Sequence, residues 1–199
     1  IDIMQKINFI KTSIPEGQYK QKYNLGNIIV YHIGTTFNRE QNTYECYECT
    51  VPSSVFNEDE IKASFSEFLT KIKAMQLKQA KVDKIAEITS YDTSSSVNGF
   101  MLNGLLVWLD KATRVGLMNS TTIAKAAGQQ TTTLWLGGLK LVVDCDKAIQ
   151  LLSALEMYAL ECFNVTASHK AAVGELKTVE DVKAYDYKAG YPKMLEMSV

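Results

Sequence analysis

Cys46 and Cys49, with His32 upstream, are the side chains in this sequence best suited to bind a metal ion. Thiolate and imidazole are the ligands that zinc prefers. Both cysteines lie in a stretch whose alternation predicts a β-strand, where residues three apart point to opposite faces. No second pair of cysteines or histidines follows at the spacing of a zinc site. The pattern therefore favours structural thiols and a half-buried sheet histidine over a metal centre.

Cys162 and His169 are the best candidates for a nucleophile and its base. They share the apolar face of a predicted helix, two turns apart, which is about 10 Å along the axis. That distance is too long for a thiol to pass its proton to an imidazole. The Ser/Thr cluster at 93–96 lacks a G-x-S-x-G elbow and is typical of a loop. We therefore predict no enzymatic activity, no cofactor and no metal site.

Asp144 and Asp146 could supply half of a cation site, but a hard cation needs more oxygen ligands than two carboxylates. An aspartate just before an apolar periodic run is more typical of a helix N-cap. We expect one of the two to cap the helix that follows. Asp110 is likewise predicted to cap a helix, where an ion pair with Arg114 four residues on would add a few tenths of a kcal/mol.

The composition indicates a globular chain without the charge of a nucleic-acid binder. It has 199 residues, 46% of them hydrophobic, and a net charge of −1. Residues 1–99 carry 11 basic and 12 acidic side chains, and the remainder carries ten of each. No apolar run approaches the roughly 18 residues that a membrane span needs. We predict neither nucleic acid nor membrane as a partner, and the four irregularly spaced cysteines indicate free thiols in a reducing compartment.

The elements that would position these residues divide the chain into three parts. Residues 1–56 are predicted to form a small β-rich head, with a possible strand at 3–10 and a hairpin of strands 28–33 and 43–51. Residues 57–84 are predicted to form a connecting helix, which Asn57 and Glu60 begin with a capping box. Residues 85–199 are predicted to form an α+β domain.

In that domain the pattern predicts antiparallel hairpins with helices packed on one face. The elements are a strand at 85–91, a hairpin turning at Asn103-Gly104, a helix at 111–127 with a break near Ser120, and a hairpin turning at Gly137-Gly138. A long amphipathic helix follows at 146–176, with an apolar stripe wide enough to cross a core. A short helix capped by Thr178 precedes the tail. The fold class is α+β.

Aromatic side chains are the candidate interaction residues. Three tyrosines in the tail can pack their rings while their hydroxyls stay hydrated, which suits either a tail pinned to the core or a binding platform. The two tryptophans lie on or beside predicted strands. The candidates are Tyr185, Tyr187, Tyr191, Trp108 and Trp135.

Dispersed motifs in the C-terminal half carry a family resemblance. They are Tyr91-Asp92-Thr93-Ser94 with Val97-Asn98, Trp108-Leu109-Asp110-Lys111-Ala112-Thr113-Arg114, Leu134-Trp135, Leu155-Glu156-Met157-Tyr158-Ala159 with Cys162, Val165-Thr166-x-x-His169, and Tyr185-Asp186-Tyr187 with Gly190-Tyr191-Pro192. In this order, from about residue 85 to 195, they resemble an uncharacterised domain of tailed bacteriophages and prophages, notably those of Bacteroides-type hosts. The N-terminal head shows no such likeness.

The resemblance implies a virion structural protein: a tail, collar or fibre-associated adaptor that docks to other phage virion proteins and forms homo-oligomers. Such a protein would be found in the virion and, during assembly, in the host cytoplasm. The alternative is a non-virion assembly factor or fibre chaperone, and a thiol- or metal-dependent enzyme is less favoured. The resemblance brings no catalytic residue. The matching aromatic residues Trp108, Trp135, Tyr158 and Tyr191 are interpreted as packing residues.

Overall fold

A computed structural model describes residues 6–199 of the chain. The fold class is α+β, as predicted from the sequence. The chain forms two compact units, Ile1–Gln76 and Leu77–Val199, and each is described by itself. Within the described residues no helix combines the length and the apolar character that crossing a membrane requires.

The first unit contains one antiparallel sheet with the strand order β1-β4-β3-β2. Its strands are β1 (Ile10–Pro15), β2 (Lys22–Leu25), β3 (Ile28–Asn38) and β4 (Thr43–Pro52). The predicted pairing of 28–33 with 43–51 is confirmed. The strand expected at 3–10 lies partly outside the described residues, and residues 6–9 are not in a strand.

β3 has a bulge between Ile33 and Thr36. At this bulge the sheet lies close to the helix that packs on it. Gly34 sits in this bulge with φ +67°, and a Cβ there would lie 2.6 Å from Phe65 Cζ. Only glycine meets both conditions without strain. The core between sheet and helix consists of Phe9, Tyr31, Cys49, Val51, Ile61 and Phe65.

That helix, α1, runs from Glu58 to Asp92 and crosses the boundary between the two units. The predicted capping box is confirmed, because Asn57 Oδ1 accepts from Glu60 N at 2.9 Å and Glu60 Oε2 from Asn57 N at 2.8 Å. The strand predicted at 85–91 is wrong, since these residues continue α1. Ile85 and Ile88 pack against Val173. They are three residues apart, which is a helical spacing, but the stretch is too short for this period to be distinguished from the alternation of a strand.

The second unit is built on a long helix, α4 (Cys145–Glu175), which extends over nearly the predicted range. The other elements are α2 (Ser95–Asn98), β5 (Phe100–Leu102), β6 (Leu105–Val107), α3 (Lys111–Ala126), β7 (Thr131–Leu136), β8 (Leu139–Asp144), α5 (Val179–Ala184) and β9 (Glu196–Met197). Both predicted hairpins are confirmed. The parallel pairing of β9 with β5 was not predicted. The break near Ser120 is wrong, because α3 is continuous and buries Thr121.

The buried stripe of α4 forms the core of this unit together with the two hairpins. Its buried members are Ala148, Leu151, Leu152, Leu155, Tyr158 and Cys162, which pack with Phe100, Leu102, Val107, Leu134 and Leu136. The turns are those the sequence predicts, with positive φ at Asn103 and Gly104 and at Gly137 and Gly138. Leu109, in the segment between β6 and α3, belongs to the same core, and Leu117 and Met118 of α3 pack against it.

Candidate functional site

A cleft of about 540 Å³ opens on the second unit where five segments meet. The end of α1, the short helix α2, the segment after β6, the start of α3 and the middle of α4 line it. Its walls include Asp92, Asn98, Trp108, Arg114, Glu156, Leu160 and Phe163. Clefts of this size whose exposed lining is mainly apolar are the usual place for a ligand or a partner side chain.

Arg114 forms the charged floor of the cleft. Arg114 is 8% exposed. Its Nε donates to Glu156 Oε1 at 2.8 Å, and its Nη1 donates to the Leu109 carbonyl at 2.8 Å. The ion pair expected with Asp110 is wrong. Asp110 instead caps α3, as predicted, and accepts from both Thr113 N and Thr113 Oγ1. These hydrogen bonds lower the pKa of Asp110, and the one from the Thr113 hydroxyl has a larger effect than the one from the Thr113 N–H.

Asn98 supplies a buried amide in the wall. Its Nδ2 donates to the Asp92 carbonyl at 2.6 Å, whereas its Oδ1 is buried and accepts no hydrogen bond from residues 6–199. The Asp92 carboxylate is held by α4, because Thr166 Oγ1 donates to Asp92 Oδ1 at 2.8 Å. Ser94 caps α2 and so sets the position of Asn98 at its end.

Exposed apolar side chains form the mouth of the cleft. Trp108 is 40% exposed, Leu160 is 50% exposed and Phe163 is 59% exposed. Leu160 and Phe163 are three residues apart and share a face of α4. Large side chains exposed together around a concavity are typical of a contact surface.

The three tail tyrosines are half-buried and bond within the unit. Tyr185 donates its hydroxyl to His169 Nδ1 at 2.9 Å, and Tyr187 packs edge-on to Tyr91. Tyr191 donates to Thr166 Oγ1 at 2.8 Å, and Thr166 is the residue that holds Asp92. Tyr191 is therefore linked to the cleft through one intervening side chain. Whether these tyrosines contact a partner stays a prediction.

The two tryptophans differ in place. Trp108 lines the cleft, whereas Trp135 is 59% exposed on the outer face of β7. The interpretation of both as packing residues is wrong, because neither is buried. It is right for Tyr158, which is 7% exposed and donates to the Val97 carbonyl at 2.7 Å. Burial raises the pKa of Tyr158 to about 12.

The candidate metal ligands do not converge. Cys49 packs in the core under α1, and Cys46, three residues earlier in the same strand, points to the opposite face of the sheet. His32 is buried, and its Nδ1 and Nε2 lie against the Lys20 carbonyl and Glu48 Oε2. Among residues 6–199 no three His, Cys, Asp or Glu side chains are grouped to hold an ion. Burial raises the pKa of the Cys49 thiol to about 11.

The candidate dyad is not assembled. The Cys162 thiol donates to the Val97 carbonyl at 3.4 Å, and burial raises its pKa. His169 is engaged at both nitrogens, accepting from Tyr185 and donating from Nε2 to the Ala189 carbonyl at 2.9 Å. Asp144 caps α4, as expected, and Asp146 pairs with Lys125. Each of these side chains therefore forms a hydrogen bond or an ion pair with another part of the same unit.

Sequence reasoning missed the polar part of the cleft. Arg114 and Glu156 are 42 residues apart, so no local pattern connects them. One signal was present: Leu160 and Phe163 are apolar residues of α4 that lie outside its buried stripe. An apolar residue on the solvent face of an amphipathic helix is a reason to expect a contact there.

The family described as "Domain of unknown function (DUF4376)" matches residues 79–189, and the chain belongs to it. The matched range contains every residue that lines the cleft. No curated protein and no solved structure matches the chain.

Proposed function

We propose that this member of the DUF4376 family is a structural component of a bacteriophage particle and acts by docking to other virion proteins. The observation that carries the docking role is the cleft, with Trp108, Leu160 and Phe163 exposed at its mouth over the Arg114–Glu156 floor. Aromatic and arginine side chains around a concave site are typical of protein–protein contacts. The phage context rests on the resemblance of residues 85–195.

Homo-oligomerisation is part of the proposal. Trp135 and Val142, on the outer face of the β7–β8 hairpin, are 59% and 64% exposed and supply apolar area outside the cleft. Light scattering after size-exclusion chromatography should give a mass that is a multiple of 22.2 kDa. Trp135→Ser should lower that mass at equal concentration, and a monomeric wild-type protein would contradict self-association.

The direct test is quantitative mass spectrometry of purified particles of a phage that encodes the chain, with infected-cell lysate as the reference. We expect the protein in particles at a fixed multiple of the portal subunit, and the multiple should indicate the symmetry of its ring or fibre. A protein abundant in the lysate and absent from particles would overturn the virion role. That result would favour an assembly factor or fibre chaperone present in the host cytoplasm.

A sharper version compares two variants of one helix. Phe163 and Met157 are 59% and 60% exposed on α4, but only Phe163 lines the cleft. Particles assembled with Phe163→Ser should contain less of the protein than particles with Met157→Ser. Equal incorporation of both variants would place docking elsewhere on the molecule.

A further inference from the structure

The starting point is the pair of carboxylates in the cleft wall. Asp92 Oδ1 accepts from Thr166 and Glu156 Oε1 accepts from Arg114, and the second oxygen of each carboxylate accepts no hydrogen bond within residues 6–199. Asn98 Oδ1 also lacks a partner there, but it has almost no accessible surface, so a guest in the cleft does not reach it. A group that fills the cleft should therefore bring N–H or O–H donors for the two carboxylates.

The charges around the cleft favour a positive guest. The charged lining residues are Asp92, Asp110 and Glu156 against Lys111 and Arg114, which leaves one negative charge. Arg114 has little to offer an anion, because it is 8% exposed and already donates to Glu156 and a carbonyl. Glu156 uses Oε1 for Arg114, and its side chain is 35% exposed. Its second oxygen is therefore a further acceptor for a donor-bearing guest.

The apolar mouth narrows the chemistry of the guest. A cation over the face of a tryptophan or phenylalanine is attracted by the ring. A guanidinium is less strongly hydrated than an ammonium, stacks on aromatic faces and carries five donors in one plane. A guanidinium thus combines the donors and the positive charge that suit the two carboxylates with the affinity for aromatic rings that suits Trp108 and Phe163.

We propose that the cleft receives an arginine side chain of a partner polypeptide, which deepens and rests on the docking role proposed above. The guanidinium would stack on Trp108 and Phe163 and donate to the second oxygens of Asp92 and Glu156. The partner segment is thus one with an exposed arginine. An acidic segment, or an aromatic one, is a competing guest that the test separates.

The test titrates the full chain with Ac-Gly-Arg-Gly-NH2 and with the same peptide carrying citrulline. Citrulline keeps the planar shape and three of the five N–H donors, but a carbonyl oxygen replaces one nitrogen and the charge is lost. NMR of the two tryptophan indole N–H signals reports the site, because Trp108 lines the cleft and Trp135 does not. We expect saturable shifts at Trp108 only, and at least tenfold weaker binding of the citrulline peptide.

Variants of α4 and α1 give the matched controls. Phe163→Ser should weaken binding of the arginine peptide about tenfold, whereas Met157→Ser should leave it unchanged. Asp92→Asn keeps an oxygen for the Thr166 hydroxyl while it removes the charge, and it should weaken binding several-fold. Unchanged binding in both Phe163→Ser and Asp92→Asn would overturn the proposal.

Other peptides provide the remaining outcomes. Equal or tighter binding of the citrulline, lysine, glutamate or tyrosine peptide would overturn the guanidinium assignment, and so would an absent shift at Trp108. The particle experiment is independent of these measurements. A virion protein that ignores the arginine peptide overturns this inference alone, whereas a protein absent from particles that binds the peptide as described supports it and overturns only the virion role.

Discussion

His32 in the first unit and Arg114 in the second are both buried and both held by a glutamate, but their surroundings differ. The His32 ring lies against Glu48 Oε2 at 3.1 Å and packs near Tyr19 and Tyr23, with centroid distances of 5.8 Å to each. Arg114 lies against Glu156 at 2.8 Å and lines an open cleft. The same device, a buried base with a carboxylate, fills a sheet face in one unit and the floor of a cleft in the other.

The aromatic side chains show the same contrast. Phe65 in the first unit is 7% exposed and packs with Phe9 and Tyr47 at centroid distances of 5.2 and 5.4 Å. Phe163 in the second unit is 59% exposed. Phe65 therefore belongs to the core of its unit, whereas Phe163 lies at the surface of its own. We expect Phe65 to contribute to stability and Phe163 to the proposed docking.

The largest expected effect separates these two phenylalanines. Phe65→Ala should cost the first unit about 3–5 kcal/mol, because it removes a buried ring and leaves a cavity. Phe163→Ala should change stability by less than about 0.5 kcal/mol, as for other exposed positions. Both lie in helices, so helix propensity changes equally. Hydrogen exchange of peptides from β3 and β4, and from α4, measures the two effects separately.

A cost at Phe163 as large as that at Phe65 would contradict the comparison, because it would make Phe163 a core residue. A small cost at Phe65 would also contradict it, because Phe65 would then not be a core residue.

The second prediction concerns the floor of the cleft. Glu156→Ala should destabilise the second unit by about 3 kcal/mol, because it leaves the buried Arg114 charge without its carboxylate. Glu161→Ala is the matched control on the exposed side of α4 and should cost less than about 0.5 kcal/mol. Urea unfolding followed by tryptophan fluorescence reports this unit, since both tryptophans lie in it. Equal midpoints for the two variants would show that the ion pair contributes little.

The third prediction concerns the antiparallel sheet of the first unit. Gly34→Ala and Gly26→Ala each place a side chain at positive φ, +67° and +65°, which costs about 1–2 kcal/mol. Only the methyl group added at position 34 would also meet the Phe65 ring, so Gly34→Ala should cost about 1–3 kcal/mol more than Gly26→Ala. Hydrogen exchange of the β3 peptides measures the difference. Equal costs would mean that the ring moves aside without loss of packing.

Local sequence information was enough for the turns and caps. Asn103-Gly104 and the Asn57 capping box each need only residues within three positions of one another, and both were predicted correctly. The stripe of α4 was also predictable, because its helical period repeats over many turns. The short stretch 85–91 was predicted wrongly because six or seven residues do not distinguish a period of 2 from one of 3.6.

The cleft was not predictable in the same way. Its floor joins Arg114 to Glu156 across 42 residues, and its wall joins Thr166 to Asp92 across 74. These contacts exist only after α1, α3 and α4 have packed. The sequence pointed to Asp110 as the partner of Arg114 because it is the nearest carboxylate along the chain, whereas that carboxylate is committed to Thr113.

The smallest expected effect follows from the hydrogen bonds between Asp110 and Thr113. Hydrogen bonds from the Thr113 hydroxyl and N–H hold the pKa of Asp110 below its ordinary value of 3.8. A carboxyl whose pKa is lowered by folding stabilises the folded state above its unfolded pKa, and the contribution is lost as the pH falls through the folded pKa. Asp110→Asn keeps an oxygen for the Thr113 N–H but cannot titrate. The wild type should therefore lose more stability than Asp110→Asn as the pH falls from about 4 towards 2, measured by urea midpoints with tryptophan fluorescence. Parallel losses in the two proteins would mean that the cap acts through its geometry and not through its charge.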